Sequence, residues 1–274
     1  MVLQLSHARG LNAILKPSKK LLSSSIISTV TPIVELREYD LNPNLVETYD
    51  LLTSQTSDLR KSLSPLRMFA MPETGGKLNI ATHLYYFKGG FDERNETRSA
   101  MSKNVEWKEY LERAKRCMTS QTSSIFVEAP LVAQIEGIRG LASKEAESYM
   151  NVHKDQRLGK VRTDYVIEIR RYQLKLGYDT VPKFLSLYET GLPSKLNAPG
   201  TDPTTSLVTL LYTEVGQLNE AIEVWRHGST GAMERSRVAA RGATEWRHAI
   251  GEIAGLANTF TSTIYKPLIF SPLR

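Results

Sequence analysis

The segment GKLNIA at residues 76–81 returns as GQLNEA at residues 216–221, 140 positions further along the chain. Three other segments repeat in the same order, at offsets between 133 and 139 residues: ELREYDL (35–41) with EIRRYQL (168–174), EWK (106–108) with EWR (245–247), and TSSIF (122–126) with TSTIY (261–265). Ordered matches at nearly constant spacing are the signature of an internal repeat. The sequence therefore predicts two copies of one structural unit in tandem.

Each copy shows the same order of strand and helix patterns. In the first copy, strand patterns cover residues 33–41, 64–71, 78–87 and 121–127, with helical stripes at Leu45–Leu59 and Trp107–Met118. In the second copy, strand patterns cover 165–174, 207–212, 218–225 and 261–269, with helical stripes at Val181–Tyr188 and Trp246–Phe260. The order β-α-β-β-α-β, found twice, predicts an α+β protein of two tandem ferredoxin-like units.

A ferredoxin-like unit covers one face of its sheet with helices and leaves the other face open. Two units in one chain can cover each other's open faces. We therefore expect the two sheets to pair as a dimeric α/β-barrel.

Side chains alternate between the two faces of a strand. Val34 with Leu36, and Ile167 with Ile169, are expected to pack under the helices. The opposite face should then line the barrel interior, and its polar and aromatic side chains are the candidate ligand-binding residues: Arg37, Tyr39, His83, Tyr85, Arg170, Tyr172, Glu223 and Trp225. Two interpretations stay open: a buried polar network that fixes how the sheets pair, or a cavity that binds a small ligand.

The N-terminal segment differs in composition from the rest of the chain. Its first 34 residues contain four basic residues and no acidic one, and they are rich in serine, while the whole chain carries a formal charge of +6. This composition is typical of a mitochondrial or plastid transit peptide, here predicted over residues 1–30, and the alternative is a basic tail. We expect a mitochondrial location, most simply the matrix. Without this segment the charge is nearly balanced, which argues against nucleic-acid binding.

The predicted domains are a transit peptide at 1–30, a first unit at 31–128, a linker at 129–163 and a second unit at 164–274. The linker is expected to contain a helix at Ser143–His153, where an N-cap residue precedes acidic residues.

The chain shows no set of residues typical of catalysis, metal binding or a cofactor. No His, Cys, Asp or Glu cluster has metal-ligand spacing, and there is no GxGxxG motif or P-loop. Gly89-Gly90 indicates a turn from strand to helix, and Trp107 and Trp246 are expected to anchor helices to the sheets. We therefore predict no catalytic residue, no metal and no cofactor. No apolar run is long enough to span a bilayer.

Several of these segments resemble the NipSnap family. The similar segments are GKLNIATHLY at 76–85, KGGF at 88–91, EWKEYL at 106–111, EIRRYQL at 168–174 and KPLIFSPL at 266–273. The resemblance implies a dimeric α/β-barrel, a mitochondrial location and no established enzyme activity. Its members are linked to vesicle traffic and to the marking of damaged mitochondria for autophagy. The chain departs from the family where Glu223 stands at the position matching His83, where Tyr85 replaces a tryptophan, and in a longer linker.

Two functions are therefore considered. In the first, the protein is a mitochondrial interaction or scaffold module for protein partners, with a role in quality control or vesicle traffic. Peripheral membrane association and homo-oligomerisation are compatible with it. In the second, the polar barrel interior binds a small ligand, as in oxygenase-like barrels, which is an argument from fold analogy.

Overall fold

Eight strands form one closed antiparallel barrel in a computed structural model that describes residues 30–142, the first half, and 165–274, the second half. The strands follow one another around the barrel in the order β1-β3-β2-β8-β5-β7-β6-β4. Their bounds are β1 Ile33–Leu41, β2 Leu66–Thr74, β3 Ile80–Phe87, β4 Met118–Glu128, β5 Val166–Leu174, β6 Ser206–Val215, β7 Glu220–His227 and β8 Ala257–Pro267. The predicted α+β class and the closure of the two sheets on each other are confirmed. The predicted transit peptide (residues 1–29 of it) and the linker helix lie outside the described residues.

Seven α-helices in the described ranges cover the outside of the barrel. They are α1 Val46–Gln55, α2 Ser57–Leu63, α3 Gly90–Lys103, α4 Val105–Ala114, α5 Thr180–Leu196, α6 Thr230–Gly242 and α7 Thr244–Leu256. The turn predicted at Gly89-Gly90 leads into α3, with Gly90 at φ +67°. Helix α6 was not predicted, and the stripe expected to continue to Phe260 ends at Leu256, where β8 begins. None of the described helices is long and apolar enough to cross a bilayer.

The barrel interior is largely apolar. One buried cluster draws on both halves: Val34, Leu36, Met68, Ala70, Leu84, Tyr86, Phe126, Leu141, Ile167, Ile169, Val208, Leu211, Ile222, Val224, Tyr265 and Leu273. The prediction that Val34, Leu36, Ile167 and Ile169 pack under the helices is therefore wrong. The candidate ligand-binding residues face the helices instead, where Tyr39 and Tyr172 belong to separate helix-side clusters.

The physical reason for this reversal is the width of the barrel. Eight strands enclose a space just wide enough for side chains to fill. Apolar side chains fill most of it without needing partners, whereas each charged side chain placed there needs an ion-pair partner within the same narrow space. The layer between sheet and helices holds larger aromatic and charged side chains, because helices can contribute partners to it.

Each half extends a segment onto the other. After β4, Leu131 and Val132 join the buried cluster under the helices of the second half. After β8, Phe270 joins the corresponding cluster of the first half, and the Ser271 hydroxyl accepts a hydrogen bond from the Phe69 backbone N–H at 3.0 Å. Each half therefore contributes residues to the buried cluster under the helices of the other half.

An ion pair joins matched positions of the two halves. Arg171 Nη2 donates to Glu38 Oε1 at 2.6 Å, and Arg171 Nη1 lies 3.5 Å from Glu220 Oε1. Residues 38 and 171 occupy the same place in the repeated segments that begin at 35 and 168. If the two halves were identical, two residues of the same charge would face each other here. The change from Glu38 in one half to Arg171 in the other therefore favours pairing of the first half with the second.

Candidate functional site

A cavity of about 600 Å³ lies in the second half, between the sheet and helices α5, α6 and α7. Strands β5, β7 and β8 form its floor, because side chains at alternate positions of these strands point toward the helices. Its aromatic walls are Trp225 from β7, Trp246 from α7 and Phe260 from β8. The Phe260 ring also stacks on Tyr172, with ring centroids 4.5 Å apart. Trp246, predicted only as a helix anchor, therefore also faces the cavity.

Cationic side chains dominate the lining of this cavity. There are five of them, from one strand and three helices: Arg170, Lys195, Arg237, Arg241 and Arg247. The residues that line the cavity include no aspartate or glutamate. Glu168 and Glu223, which form ion pairs with Arg170, are fully buried and lie outside the lining. The cavity therefore presents a positively charged and aromatic surface to whatever enters it.

Glu168 organises one side of the floor. It accepts hydrogen bonds at 2.6 Å from Arg170 Nε, Arg237 Nη2 and the Ser262 hydroxyl. Burial alone would raise the pKa of Glu168, but the hydrogen bonds from His227 and Arg170, with the positive charge of Arg170, hold it far below its usual value. The carboxylate is therefore ionised at all ordinary pH values, and it orients both arginines.

His227 connects Glu168 to a hydroxyl group. Its Nε2 lies 3.2 Å from Glu168 Oε2, and its Nδ1 lies 3.0 Å from the Thr205 hydroxyl. Burial lowers the pKa of His227, although Glu168 opposes this effect, so the ring is neutral at pH 7. Because an ionised carboxylate only accepts, Nε2 is assigned the proton and Nδ1 accepts from Thr205. This chain of contacts fixes the orientation of His227 in the cavity wall.

Lys195 lies between the two tryptophans. Its Nζ is 3.9 Å from the centre of a Trp225 ring and 4.2 Å from that of Trp246. It is 3.7 Å from Glu223 Oε2 and has no hydrogen-bond partner among the described residues. Glu223 instead accepts hydrogen bonds from Tyr172 and Trp225. Burial lowers the pKa of Lys195 to about 7, against the opposing charge of Glu223.

The first half repeats the floor of this site. Glu35 accepts hydrogen bonds from Arg98 at 2.5 Å, from Ser123 at 2.7 Å and from Arg94 at 2.9 Å. Burial would raise the pKa of Glu35, but the charge of Arg98 and these hydrogen bonds lower it to about 2. The pairs Glu35 with Ser123 and Glu168 with Ser262 thus occupy equivalent places in the two sheets.

The first half fills the place above this floor with an arginine. Arg60 is 2% exposed, and it donates to the hydroxyls of Tyr85 at 2.7 Å and Tyr110 at 2.6 Å. Its guanidinium carbon lies 4.9 Å from the centre of the Trp107 ring. Tyr85 and Trp107 match Trp225 and Trp246 of the second half. In both halves a cation therefore lies beside the matched aromatic pair.

His83 is fully buried in the first half and stacks on Phe69, with ring centroids 4.0 Å apart. Burial and the charges of Arg60 and Arg37 keep the pKa of His83 well below its usual value, so the ring is neutral. Its Nε2 has no hydrogen-bond partner among the described residues. These contacts make His83 part of the packed aromatic core.

A sequence profile of the NIPSNAP family matches residues 34–132 and 167–272, which is more than half of the chain. The chain belongs to the NIPSNAP family. The two matched segments contain β1–β4 and β5–β8, so each NIPSNAP segment supplies four neighbouring strands of the barrel. No curated protein sequence matches this NIPSNAP chain.

Two solved structures share this fold at low sequence identity, and a third matches part of the chain. A protein of Fusobacterium nucleatum, provisionally named a monooxygenase, is 10% identical, with a TM-score of 0.57 over 87% of this chain and 93% of that one. A similarly named protein of Lactobacillus acidophilus is 9% identical, with a TM-score of 0.54 over 86% and 94%. A NIPSNAP family protein of unknown function from Agrobacterium tumefaciens is 27% identical, with a TM-score of 0.36 over 41% and 96%.

The eight candidate residues fall into two groups of four, one under the helices of each half of this NIPSNAP protein. Arg170 and Trp225 line the cavity, and Tyr172 and Glu223 lie behind it. Sequence reasoning missed the contributions of the helices, above all Lys195 and Arg237. The repeat could have indicated Arg237, because it lies 139 residues after Arg98. The EWK and EWR segments have the same offset, so the two arginines are at matched positions.

Proposed function

We propose that the second half of this protein binds a small organic anion with a flat apolar body. The observation that carries the proposal is the composition of the cavity wall, in which five cationic side chains and no carboxylate surround a volume of about 600 Å³. A cavity of this size accommodates a metabolite-sized molecule.

The charge of the site favours an acidic group on the ligand. Glu168 and Glu223 balance two of the five positive charges from behind. Arg241 and Arg247 make no ion pair with a described residue, so their guanidinium groups are available to an incoming anion. Arginine suits this role because its planar group can donate two hydrogen bonds to one carboxylate.

The aromatic walls favour a flat ligand. Trp225, Trp246 and Phe260 present ring faces and edges to the same volume. Such surfaces bind aromatic and other planar apolar groups through area burial and ring contacts. The oxygenase-like alternative has support only from the fold of low-identity neighbours, and we propose binding alone.

Calorimetric titration with phenyllactate, and with its uncharged methyl ester as a matched control ligand, tests this proposal. Phenyllactate should bind and the ester should bind at least about tenfold more weakly, since a charge-assisted hydrogen bond contributes about 1.5–3 kcal/mol. The Arg241→Gln/Arg247→Gln variant should lose most of that preference. Lys108→Gln is the control, because Lys108 matches Arg247 in the first half. Equal binding of acid and ester, or no binding of either, would contradict the proposal.

We also propose a domain organisation and a location for the chain. We infer that the two halves are tandem ferredoxin-like units paired as a dimeric α/β-barrel, which the repeated element order and the repeated Glu-Arg-Ser floor support. The boundaries at 30, 128 and 163, the mitochondrial matrix location and the interaction or scaffold role for protein partners stay predictions. Import of the full chain fused to a fluorescent protein, compared with a chain lacking residues 1–30, would test the location.

A further inference from the structure

Lys195 is a buried amine that the fold leaves without a hydrogen bond. It is 8% exposed, it lines the cavity, and its Nζ has no hydrogen-bond partner among the described residues. Glu223 Oε2 forms an ion pair with the amine at 3.7 Å, which is too long for a hydrogen bond, and it already accepts from Trp225. Buried polar groups usually form hydrogen bonds, so an amine in a cavity wall whose N–H groups have no acceptor indicates that a ligand supplies one.

The surroundings of Lys195 make its charged and uncharged forms comparable near pH 7. The ring faces of Trp225 and Trp246 and the Glu223 carboxylate favour the ammonium form, whereas Arg170, whose Nη1 lies 3.8 Å from the same oxygen of Glu223, opposes it. Removal from water and a neighbouring positive charge both disfavour an ammonium group. In agreement, the pKa of Lys195 is lowered to about 7, chiefly by burial. An uncharged lysine amine in an apolar pocket beside another cation is a nucleophile toward carbonyl groups.

The geometry points to Lys195 as the residue that forms a Schiff base with the carbonyl group of an oxo acid bound in this cavity. This inference rests on the proposed function, because the same cavity must first bind the acid. Arg170 Nη1 and Lys195 Nζ lie 3.8 and 3.7 Å from the same oxygen of Glu223, so a positive charge lies near the amine and can attract the carboxylate of a 2-oxo acid. The tryptophans provide the surface for the rest of the ligand.

The reaction needs no reagent besides the ligand and a proton. The Nζ lone pair of Lys195 attacks the carbonyl carbon, a C–N bond forms, and a proton moves from nitrogen to the former carbonyl oxygen. This carbinolamine takes up one proton and loses water as the nitrogen lone pair closes a C=N bond. The products are a protonated imine on Lys195 and one water molecule, with no change in oxidation state.

Reductive trapping of the full chain tests the inference. The protein is incubated with phenylpyruvate and sodium cyanoborohydride, and the modified residue is identified by intact-mass and peptide mass spectrometry. We expect one adduct per chain, located at Lys195, formed at least about tenfold faster than on any other lysine. The rate should increase with pH through a midpoint near 7, as the amine loses its proton.

Two variants provide the comparison. Lys195→Met should abolish the single adduct, whereas Lys183→Met, an exposed lysine on the same helix, should leave it unchanged. Labelling that spreads over surface lysines, or that is unchanged in Lys195→Met, would overturn the Schiff-base inference. If phenyllactate still binds in that case, the proposed anion site stands alone. If neither phenyllactate nor phenylpyruvate binds, the proposed function fails together with the inference.

Discussion

The two halves of the barrel share a floor and differ in what lies above it. Glu35 and Glu168 are both fully buried, ionised and held by arginine and serine side chains. Above them the first half places Arg60, bonded to two tyrosines, and the second half places Lys195, without a hydrogen bond. The long planar side chain of Arg60 reaches its partners, whereas the amine of Lys195 lies beside a cavity of about 600 Å³.

This comparison separates the structural role of the repeat from its binding role. A buried carboxylate with several charged donors fixes the packing of helices on a sheet in both halves, whether or not a cavity is present. A binding site needs, in addition, space and charges that the protein itself does not pair. The cavity lined by Lys195 and Arg237 in the second half meets both conditions.

The largest expected effect is the loss of Arg60. Arg60→Ala should lower the free energy of unfolding by about 3–5 kcal/mol, because it creates a void among buried rings and removes the donors to Tyr85 and Tyr110. Lys195→Ala should cost only about 1 kcal/mol, since this side chain already borders a cavity. Urea unfolding followed by circular dichroism measures both. Equal losses would show that the two cations have the same structural role.

Removal of the first-half carboxylate should have a smaller effect that depends on pH. The pKa of Glu35 is lowered from 4.5 to about 2 on folding, so its stabilisation is complete above pH 4.5 and is lost as the pH falls toward 2. A shift of this size corresponds to about 3 kcal/mol at pH 7. Glu35→Gln should lose that amount at pH 7 and show a flatter stability profile between pH 5 and 2. An unchanged acid profile would contradict the role given to Glu35.

The smallest expected effect concerns the pairing of the halves. Glu38→Arg places two positive charges at matched positions and should cost about 1–2 kcal/mol, a modest value because both side chains are partly exposed. The double variant Glu38→Arg/Arg171→Glu restores opposite charges and should recover most of the loss. A double-mutant cycle from denaturant unfolding measures the coupling. A coupling near zero would mean that this ion pair does not select the pairing.

Much of the fold could be predicted because the repeat is visible in the sequence. Matched segments at nearly constant offset established two units, and strand alternation established which side chains share a face, as for Glu35 with Arg37 and Glu168 with Arg170. Alternation cannot say which face turns inward, since both faces of these strands are covered. The eight candidate residues were therefore grouped correctly and assigned to the wrong side of the sheet.

The sequence by itself determined the number of copies, the order of the strands along the chain and the pairs of matched positions, because these depend on local pattern and spacing. Only the tertiary structure decided which face of each sheet forms the largely apolar barrel interior, and that a cavity opens under the helices of the second half. The cavity joins Arg170, Lys195, Arg237 and Arg247, which come from four different elements. The spacing of these residues along the chain does not predict that they lie close together, because their positions depend on how each helix packs on the sheet.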